Sequence, residues 1–272
     1  MNENANTNSQ ATNGEKPNGV EDGLGVQYSS TPLVSNTPAQ PAAKPKSKPV
    51  KHYHGHRDRL RDRVLQGHGN TLPDYELLEL LLFAFIPRRD VKPVAKALID
   101  KFGGISGVMA APIKRLKEVD GIGETCATYI QATHLLNQRC SLEEVKARPI
   151  ISNWGALLSH VRIALQHETE EQFRVLFLDH KNQLIADERQ SQGTINHAPV
   201  YPRELAKRAL ELSASALILV HNHPSGDPTP SRADIDVTRE IMDAFEPLEI
   251  TIHDHLIVGK KGITSLKAKN LI

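Results

Sequence analysis

Apolar residues follow two different patterns in the two halves of the chain. From Arg57 to about Arg139 they recur at helical spacing, as in LPDYELLELLLFAF and VKPVAKALIDKFGG, and no convincing strand is found. Further on, helical stretches alternate with short apolar runs such as FRVLFLD and ALILVHNH, which indicate buried strands. This alternation predicts a layered α/β domain over 150–272, after an all-α domain over 51–140 and a linker at 141–149.

The N-terminal segment predicts no packed structure. Residues 1–50 are rich in Asn, Thr, Ser, Pro and Lys and cannot bury enough apolar surface to offset the entropy of ordering, so we expect a disordered tail. The overlapping stretch 44–63 holds eight Lys and Arg against two Asp, with His52, His54 and His56 interspersed. This charge fits either a solvated helix face or contact with phosphates. Without a carboxylate among them, the alternating histidines do not favour a metal site.

Composition and charge exclude several classes of protein. A net charge of +1 over 272 residues argues against a protein that coats nucleic acid along its whole surface. The only cysteines, Cys126 and Cys140, form no Cys-x-x-Cys pair, which excludes a disulfide framework and a thiolate zinc knuckle. The N-terminus lacks the features of a secretory signal, and the run Leu77 to Ile86 is too short to span a bilayer. We therefore expect a soluble, cytoplasmic protein without membrane contact.

A glycine turn, VDGIG, separates two predicted helices in the first half of the chain. Gly121 and Gly123 permit positive φ and a close approach to the backbone. The N–H groups at the start of the second helix can then face a phosphate, although a plain turn in a helical bundle is the alternative. The stretch resembles a helix-hairpin-helix motif. The resemblance indicates the shape more strongly than DNA binding. Together with the charge of the basic stretch 44–63, it makes a DNA contact through Gly121 and Gly123 one option.

The strongest chemical signal is the run LILVHNHPSGDPTPSRADID at 217–236. His221 and His223 share one face at the end of a strand, because side chains alternate along a strand. Ser231 and Asp234 lie about one turn apart where the next helix begins. Convergence of these elements offers two imidazoles and one carboxylate, and three protein ligands with an open position are typical of catalytic zinc. An ordinary helix N-cap at Ser231 competes with this interpretation but is compatible with it.

The same residues carry a family resemblance. His-x-His-Pro followed by Ser-x-x-Asp is the JAMM motif of MPN-domain metalloproteins. With VYPRELAKRALELSA before it and HDHLIVG after it, the chain resembles the bacterial RadC-like (UPF0758) proteins over nearly everything beyond the first fifty residues. The resemblance implies a cytidine-deaminase-like α/β fold and Zn²⁺ held by His221, His223 and Asp234. It also implies a metallopeptidase or isopeptidase that hydrolyses an amide bond in a peptide or protein.

The resemblance further requires a glutamate at the start of an earlier strand as general base. Glu171, just before FRVLFLD, is our choice. The alternatives are Glu170, Glu188 and Glu204. Ser231 is implied to donate a hydrogen bond to the tetrahedral oxyanion. A second histidine pair, His253 and His255, has no suitably spaced carboxylate after it, so we prefer a structural or supporting role and leave direct ligation open.

Two other functions remain open at this point. One is a DNA-associated repair or binding module with a structural zinc, and the other is a metal-dependent nuclease. Hydrolysis of an amide should require Glu171 as well as the metal ligands, whereas DNA binding should depend on Gly121 and Gly123 and fall steeply with salt.

Overall fold

The computed structural model describes residues 55–192 and 200–272. The predicted tail at 1–50 and two of the alternating histidines, His52 and His54, lie outside the described residues. Across the described ranges, no helix combines the length and apolar character needed to cross a membrane. The first half contains α1 (His56–Leu65), α2 (Asp74–Phe83), α3 (Lys92–Phe102), α4 (Ile105–Ala110), α5 (Ile113–Leu116) and α6 (Glu124–Lys146).

This helical half packs around one apolar core, to which the apolar faces of its helices contribute. Leu78 and Leu82 of α2, Leu98 of α3 and Ile130 of α6 are fully buried in it. The described residues from 55 to 146 contain no strand, which confirms the all-helical prediction.

Arginines of the basic stretch make contacts within the protein. The guanidinium of Arg57 donates to the carbonyl oxygens of Ile86 at 2.5 Å and Arg89 at 2.7 Å, just beyond the end of α2. The guanidinium of Arg63 pairs with Glu76, and that of Arg61 pairs with Asp58. These contacts favour a structural role for this face of α1, since Arg57 satisfies backbone carbonyls near a helix end.

The turn between α5 and α6 needs glycine at one position only. Gly121 has φ of 91°, and a Cβ there would lie 2.9 Å from Arg89 Nη1 and 3.2 Å from Val94 Cγ2. Gly123 has φ of −84°, is the N-cap of α6, and has open space where a Cβ would stand. Of the two glycines, only Gly121 uses the left-handed conformation that both permit.

We expect Gly121→Ala to destabilise the protein by about 1–2 kcal/mol, because an L side chain at positive φ is strained. Gly123→Ala should cost less than about 1 kcal/mol, since only a preferred N-cap residue is lost. Urea denaturation of the full chain measures both values. Equal stability of the two variants would contradict the argument. Gly123→Ala is therefore the better substitution for any DNA-binding test, because a loss of binding would not reflect a loss of fold.

The second half forms a mixed five-stranded sheet with helices on both faces. Its elements are α7 (Trp154–Leu165), β1 (Gln172–Leu178), β2 (Leu184–Gln192), α8 (Pro202–Glu211), β3 (Ala216–Asn222), α9 (Arg232–Phe245), β4 (Thr251–Gly259) and β5 (Gly262–Ser265). The strand order is β2-β1-β3-β4-β5, in which only β3 and β4 run parallel. This architecture confirms the prediction of an α/β domain.

Side-chain alternation along the strands produces two separate cores. Leu176 and Val220 face α7, whereas Phe173 and Leu219 face α8 and α9. His221 continues the second set, so its ring lies on the α9 side of the sheet, where it is 2% exposed. The α9 face of the sheet therefore carries the candidate ligand His221 in addition to its apolar core, whereas the α7 face carries apolar core residues.

The segment 141–149, predicted as a linker, is largely helical. Helix α6 continues without a break through Lys146, and Val145 is fully buried in the core beneath α7. One helix thus contributes to the helical core through Ile130 and to the sheet domain through Val145.

Candidate metal centre

Three side chains converge where β3 ends and α9 begins. His221 Nε2 lies 3.0 Å from His223 Nε2 and 3.1 Å from Asp234 Oδ1, and His223 Nε2 lies 3.4 Å from Asp234 Oδ2. Ligands bound to zinc at about 2.0–2.1 Å in a tetrahedron stand about 3.3 Å apart. Two imidazole nitrogens and a carboxylate oxygen are also a donor set that zinc prefers. The residues present therefore fit a zinc ion in both spacing and chemistry.

His223 is oriented by its second ring nitrogen. Nδ1 lies 2.8 Å from the carbonyl oxygen of Asp227, which can only accept, so Nδ1 carries a proton and, when the ring is neutral, Nε2 keeps its lone pair. The hydrogen bond to Asp234 raises the pKa of His223 against the opposing effect of burial, and the charge of Glu171 adds to the rise. A neutral His223 in this tautomer presents Nε2 to the ligand cluster that it forms with His221 and Asp234.

Asp234 serves the helix and the cluster together. Its Oδ2 accepts from the backbone N–H of Ser231 at 2.6 Å, and its own N–H donates to Ser231 Oγ at 3.2 Å, which forms a capping box. Burial alone would raise the pKa of Asp234, but hydrogen bonds from His221 and His223 outweigh burial and hold that pKa well below its usual range. The N-cap and ligand interpretations of Ser-x-x-Asp are thus compatible.

Ser231 keeps a donor for other chemistry. Its oxygen accepts from the Asp234 N–H, and none of the described residues accepts its hydroxyl proton. Because Ser231 is exposed beside the cluster, its O–H can reach a group bound there.

The second histidine pair divides between two roles. His255 is completely buried, and its Nε2 lies 2.8 Å from His221 Nδ1 while its Nδ1 lies 2.6 Å from Thr238 Oγ1. Burial holds the pKa of His255 well below its usual value, so the ring is neutral. His253 instead contacts Asn182 Oδ1 at 2.5 Å. Neither lies among the convergent ligand atoms.

The candidate general base precedes the strand that pairs with the strand of His221. Glu171 directly precedes β1, in which Phe173 pairs with His221, and its charge acts on the imidazole of His223. The charge of the neighbouring Glu170 raises the pKa of Glu168. Of the other two alternatives, Glu188 pairs with Arg208 at 2.6 Å, and Glu204 lies in the first turn of α8.

Asn222, the residue between the two histidines, had no predicted role. It is 1% exposed; its Oδ1 accepts from the N–H of Gln172 at 2.9 Å, and its Nδ2 donates to the carbonyl of Glu170 at 3.0 Å. The amide thus holds the backbone on both sides of Glu171. The only sequence signal for this role is a side chain that can both donate and accept at the end of a buried strand.

We expect Asn222→Ala to lower the free energy of unfolding by about 2–3 kcal/mol, because it leaves a buried N–H and a carbonyl unpaired. Asn153→Ala is a matched control, since the Asn153 side chain donates a single exposed hydrogen bond within the described residues, to the carbonyl of Glu144. The control should cost about 1 kcal/mol or less. Chemical denaturation measures both, and equal values would show that the Asn222 amide contributes no special stability.

The sequence matches known proteins over this region and beyond it. Residues 151–271 match the family model described as the RadC-like JAB domain. UPF0758 protein SPO0054 of Ruegeria pomeroyi is 54% identical over 217 residues, which cover 80% of this chain and 97% of that protein. The chain belongs to the RadC-like (UPF0758) family. The RadC-like JAB domain includes the whole of the candidate metal centre, and the longer alignment extends the similarity outside that domain.

Proposed function

We propose that this RadC-like protein is a zinc-dependent hydrolase that cleaves an amide bond in a peptide or protein substrate, as a metallopeptidase or isopeptidase in the cytoplasm. The observation that carries the proposal is the convergence of His221, His223 and Asp234. The effect of the Glu171 charge on His223 supports the choice of Glu171 as base. Zinc bound there supplies a Lewis acid and a water of lowered pKa.

The chain's own residues then have distinct tasks. Glu171 accepts the proton of the attacking water and returns it to the leaving amine, as general base and then general acid. The hydroxyl of Ser231 donates to the oxyanion that develops at the scissile carbonyl, an interaction typically worth about 3 kcal/mol. Asn222 holds the backbone around Glu171, so that the carboxylate stays beside the cluster.

Metal content of the purified full chain tests the proposal. We expect about one zinc per chain in the wild type and loss of that zinc in His221→Ala and Asp234→Asn, because each removes a ligand. His253→Gln is the matched control and should retain the metal, since His253 contacts Asn182 and not the cluster. A folded wild type that takes up no zinc when zinc is supplied would overturn the proposal.

Substrate class is tested next on the zinc-loaded protein. Linear peptides, isopeptide-linked peptides and DNA should be offered in parallel, and we expect turnover of an amide. Cleavage of DNA that is lost when the metal ligands His221 or Asp234 are replaced would identify a nuclease instead.

A DNA-associated role is the second candidate, supported by one observation. The N-terminus of α6 is open at Gly123, where no described atom lies within 4 Å of a Cβ position. Backbone N–H groups at a helix N-terminus favour a phosphate. The arginine contacts of α1 give this candidate less support. DNA binding that is lost in Gly123→Ala and falls with salt, without turnover of any amide, would favour it.

A further inference from the structure

A buried chain of hydrogen bonds runs behind the candidate metal centre. The hydroxyl of Thr238 donates to the carbonyl oxygen of Asp234, and Thr238 Oγ1 lies 2.6 Å from His255 Nδ1. His255 Nε2 in turn lies 2.8 Å from His221 Nδ1. Thr238 and His255 are both fully buried. The chain therefore joins the backbone of one ligand to the imidazole of another, away from solvent.

The carbonyl oxygen at one end of this hydrogen-bond chain determines which atom donates and which accepts in each bond. A carbonyl oxygen can only accept, so the Thr238 hydroxyl donates to it and the Thr238 oxygen accepts from His255 Nδ1–H. A neutral imidazole carries one proton, so His255 Nε2 has the lone pair and accepts from His221 Nδ1–H. In the neutral, metal-binding form of His221, Nε2 is then the unprotonated nitrogen, and it is the nitrogen that faces His223 and Asp234.

We propose that Thr238 and His255 are positioning residues that fix the tautomer and the ring orientation of His221, and so present its Nε2 lone pair to the metal. The inference rests on the proposed metal site. Outer partners that orient a ligand imidazole typically change metal affinity by about 10–100-fold when they are removed.

The hydrogen-bond chain also connects two candidate ligands that lie on different secondary-structure elements. His221 belongs to β3, whereas Asp234 lies in the first turn of α9, and Thr238 is one turn further along the same helix. Because Thr238 bonds to His255 of β4, and His255 contacts His221 of β3, these hydrogen bonds connect α9 to the end of β3. Loss of the Thr238 oxygen therefore disturbs both the tautomer of His221 and the distance between the two ligands.

Zinc affinity of the full chain, measured by competition with a chelator, is the first test. We expect Thr238→Val, which keeps the side-chain shape but removes the oxygen, to bind zinc about 10–100-fold more weakly. Thr238→Ser restores the oxygen and should return to within about 3-fold of the wild type by the same reasoning. His253→Gln is the control, since His253 lies on β4 but takes no part in these hydrogen bonds, and its zinc affinity should match the wild type. Wild-type affinity in Thr238→Val would overturn the proposal.

Histidine ¹⁵N NMR spectra of the wild type, which show which ring nitrogens carry protons, test the proposed tautomers without any variant. We expect a proton on Nδ1 and none on Nε2 of His255, with or without zinc, and a proton on Nδ1 of His221 in the zinc-loaded protein. A proton on Nε2 of His255 would overturn the proposal even where zinc binds. A wild type that binds no zinc would instead overturn the proposed hydrolase. Thermal unfolding of the metal-free variants shows whether weakened binding reflects loss of fold.

Discussion

Glu171→Gln is expected to lower amide hydrolysis by about 10²- to 10⁴-fold, the usual contribution of a positioned general base. Gln keeps the size of the side chain but cannot accept the proton of a water. Zinc content should remain at the wild-type level, because Glu171 does not belong to the convergent set of His221, His223 and Asp234. Turnover of whichever amide substrate the screen identifies, measured beside metal content, checks both halves of the prediction.

Glu170→Gln is the matched control for this experiment. Its side chain is adjacent in sequence, but its charge acts on Glu168, whereas that of Glu171 acts on His223. We expect the control to keep activity within about 2-fold, since a residue outside the reaction contributes no proton transfer. If the control loses activity and Glu171→Gln does not, the base has been assigned to the wrong residue.

Asp234→Ala is expected to destabilise even the metal-free protein by about 3 kcal/mol, because it leaves two half-buried or buried imidazoles without their anion. The loss of the capping box with Ser231 contributes to the same figure. Asp236→Ala, two residues along α9, is the control, since the contact of Asp236 with Arg232 is exposed. The control should stay within about 0.5 kcal/mol of wild type. Denaturant unfolding after chelation of metal makes the comparison, and equal effects would contradict it.

The difference between wild type and Asp234→Ala should also depend on pH. The pKa of Asp234 is lowered in the fold, so its contribution is present above the unfolded value of about 3.9 and is lost as pH falls through the folded value. The pKa of His223 is raised, so its contribution is complete below about 6.5 and is lost as pH rises through the folded value. In the metal-free protein the difference should therefore be larger near pH 5 than at pH 3 or pH 8.

Much of the fold and the centre of the site followed from short-range patterns. The apolar runs FRVLFLD and ALILVHNH predicted the buried strands β1 and β3, and alternation along β3 predicted that His221 and His223 share a face. His-x-His at a strand end and Ser-x-x-Asp at a helix start are local spacings, and the structure brings His221, His223 and Asp234 together as those spacings predicted. Glu171 needed the family resemblance, because nothing local distinguishes it from Glu170.

The supporting residues depend on long-range register, which the sequence does not show. In the pairing of β3 with β4 the partners pass from Leu217–Ile252 to Ile218–Asp254, so His253 is skipped. This irregularity places His255, and not Asp254, on the face that carries His221. Simple alternation along β4 would have treated His253 and His255 as equivalent. The Asn222 amide is similarly invisible, because its partners lie 50 and 52 residues away along the chain.

Helix α6 has a further consequence for how a large substrate would meet this protein. Its 23 residues span about 34 Å from the glycine turn to the core beneath α7. Both parts of the helix are packed into hydrophobic cores, so the helix fixes the distance between the glycine turn and the sheet domain. A partner bound at the turn, as the DNA-associated candidate requires, would therefore lie at a fixed distance from the domain that carries the candidate metal centre.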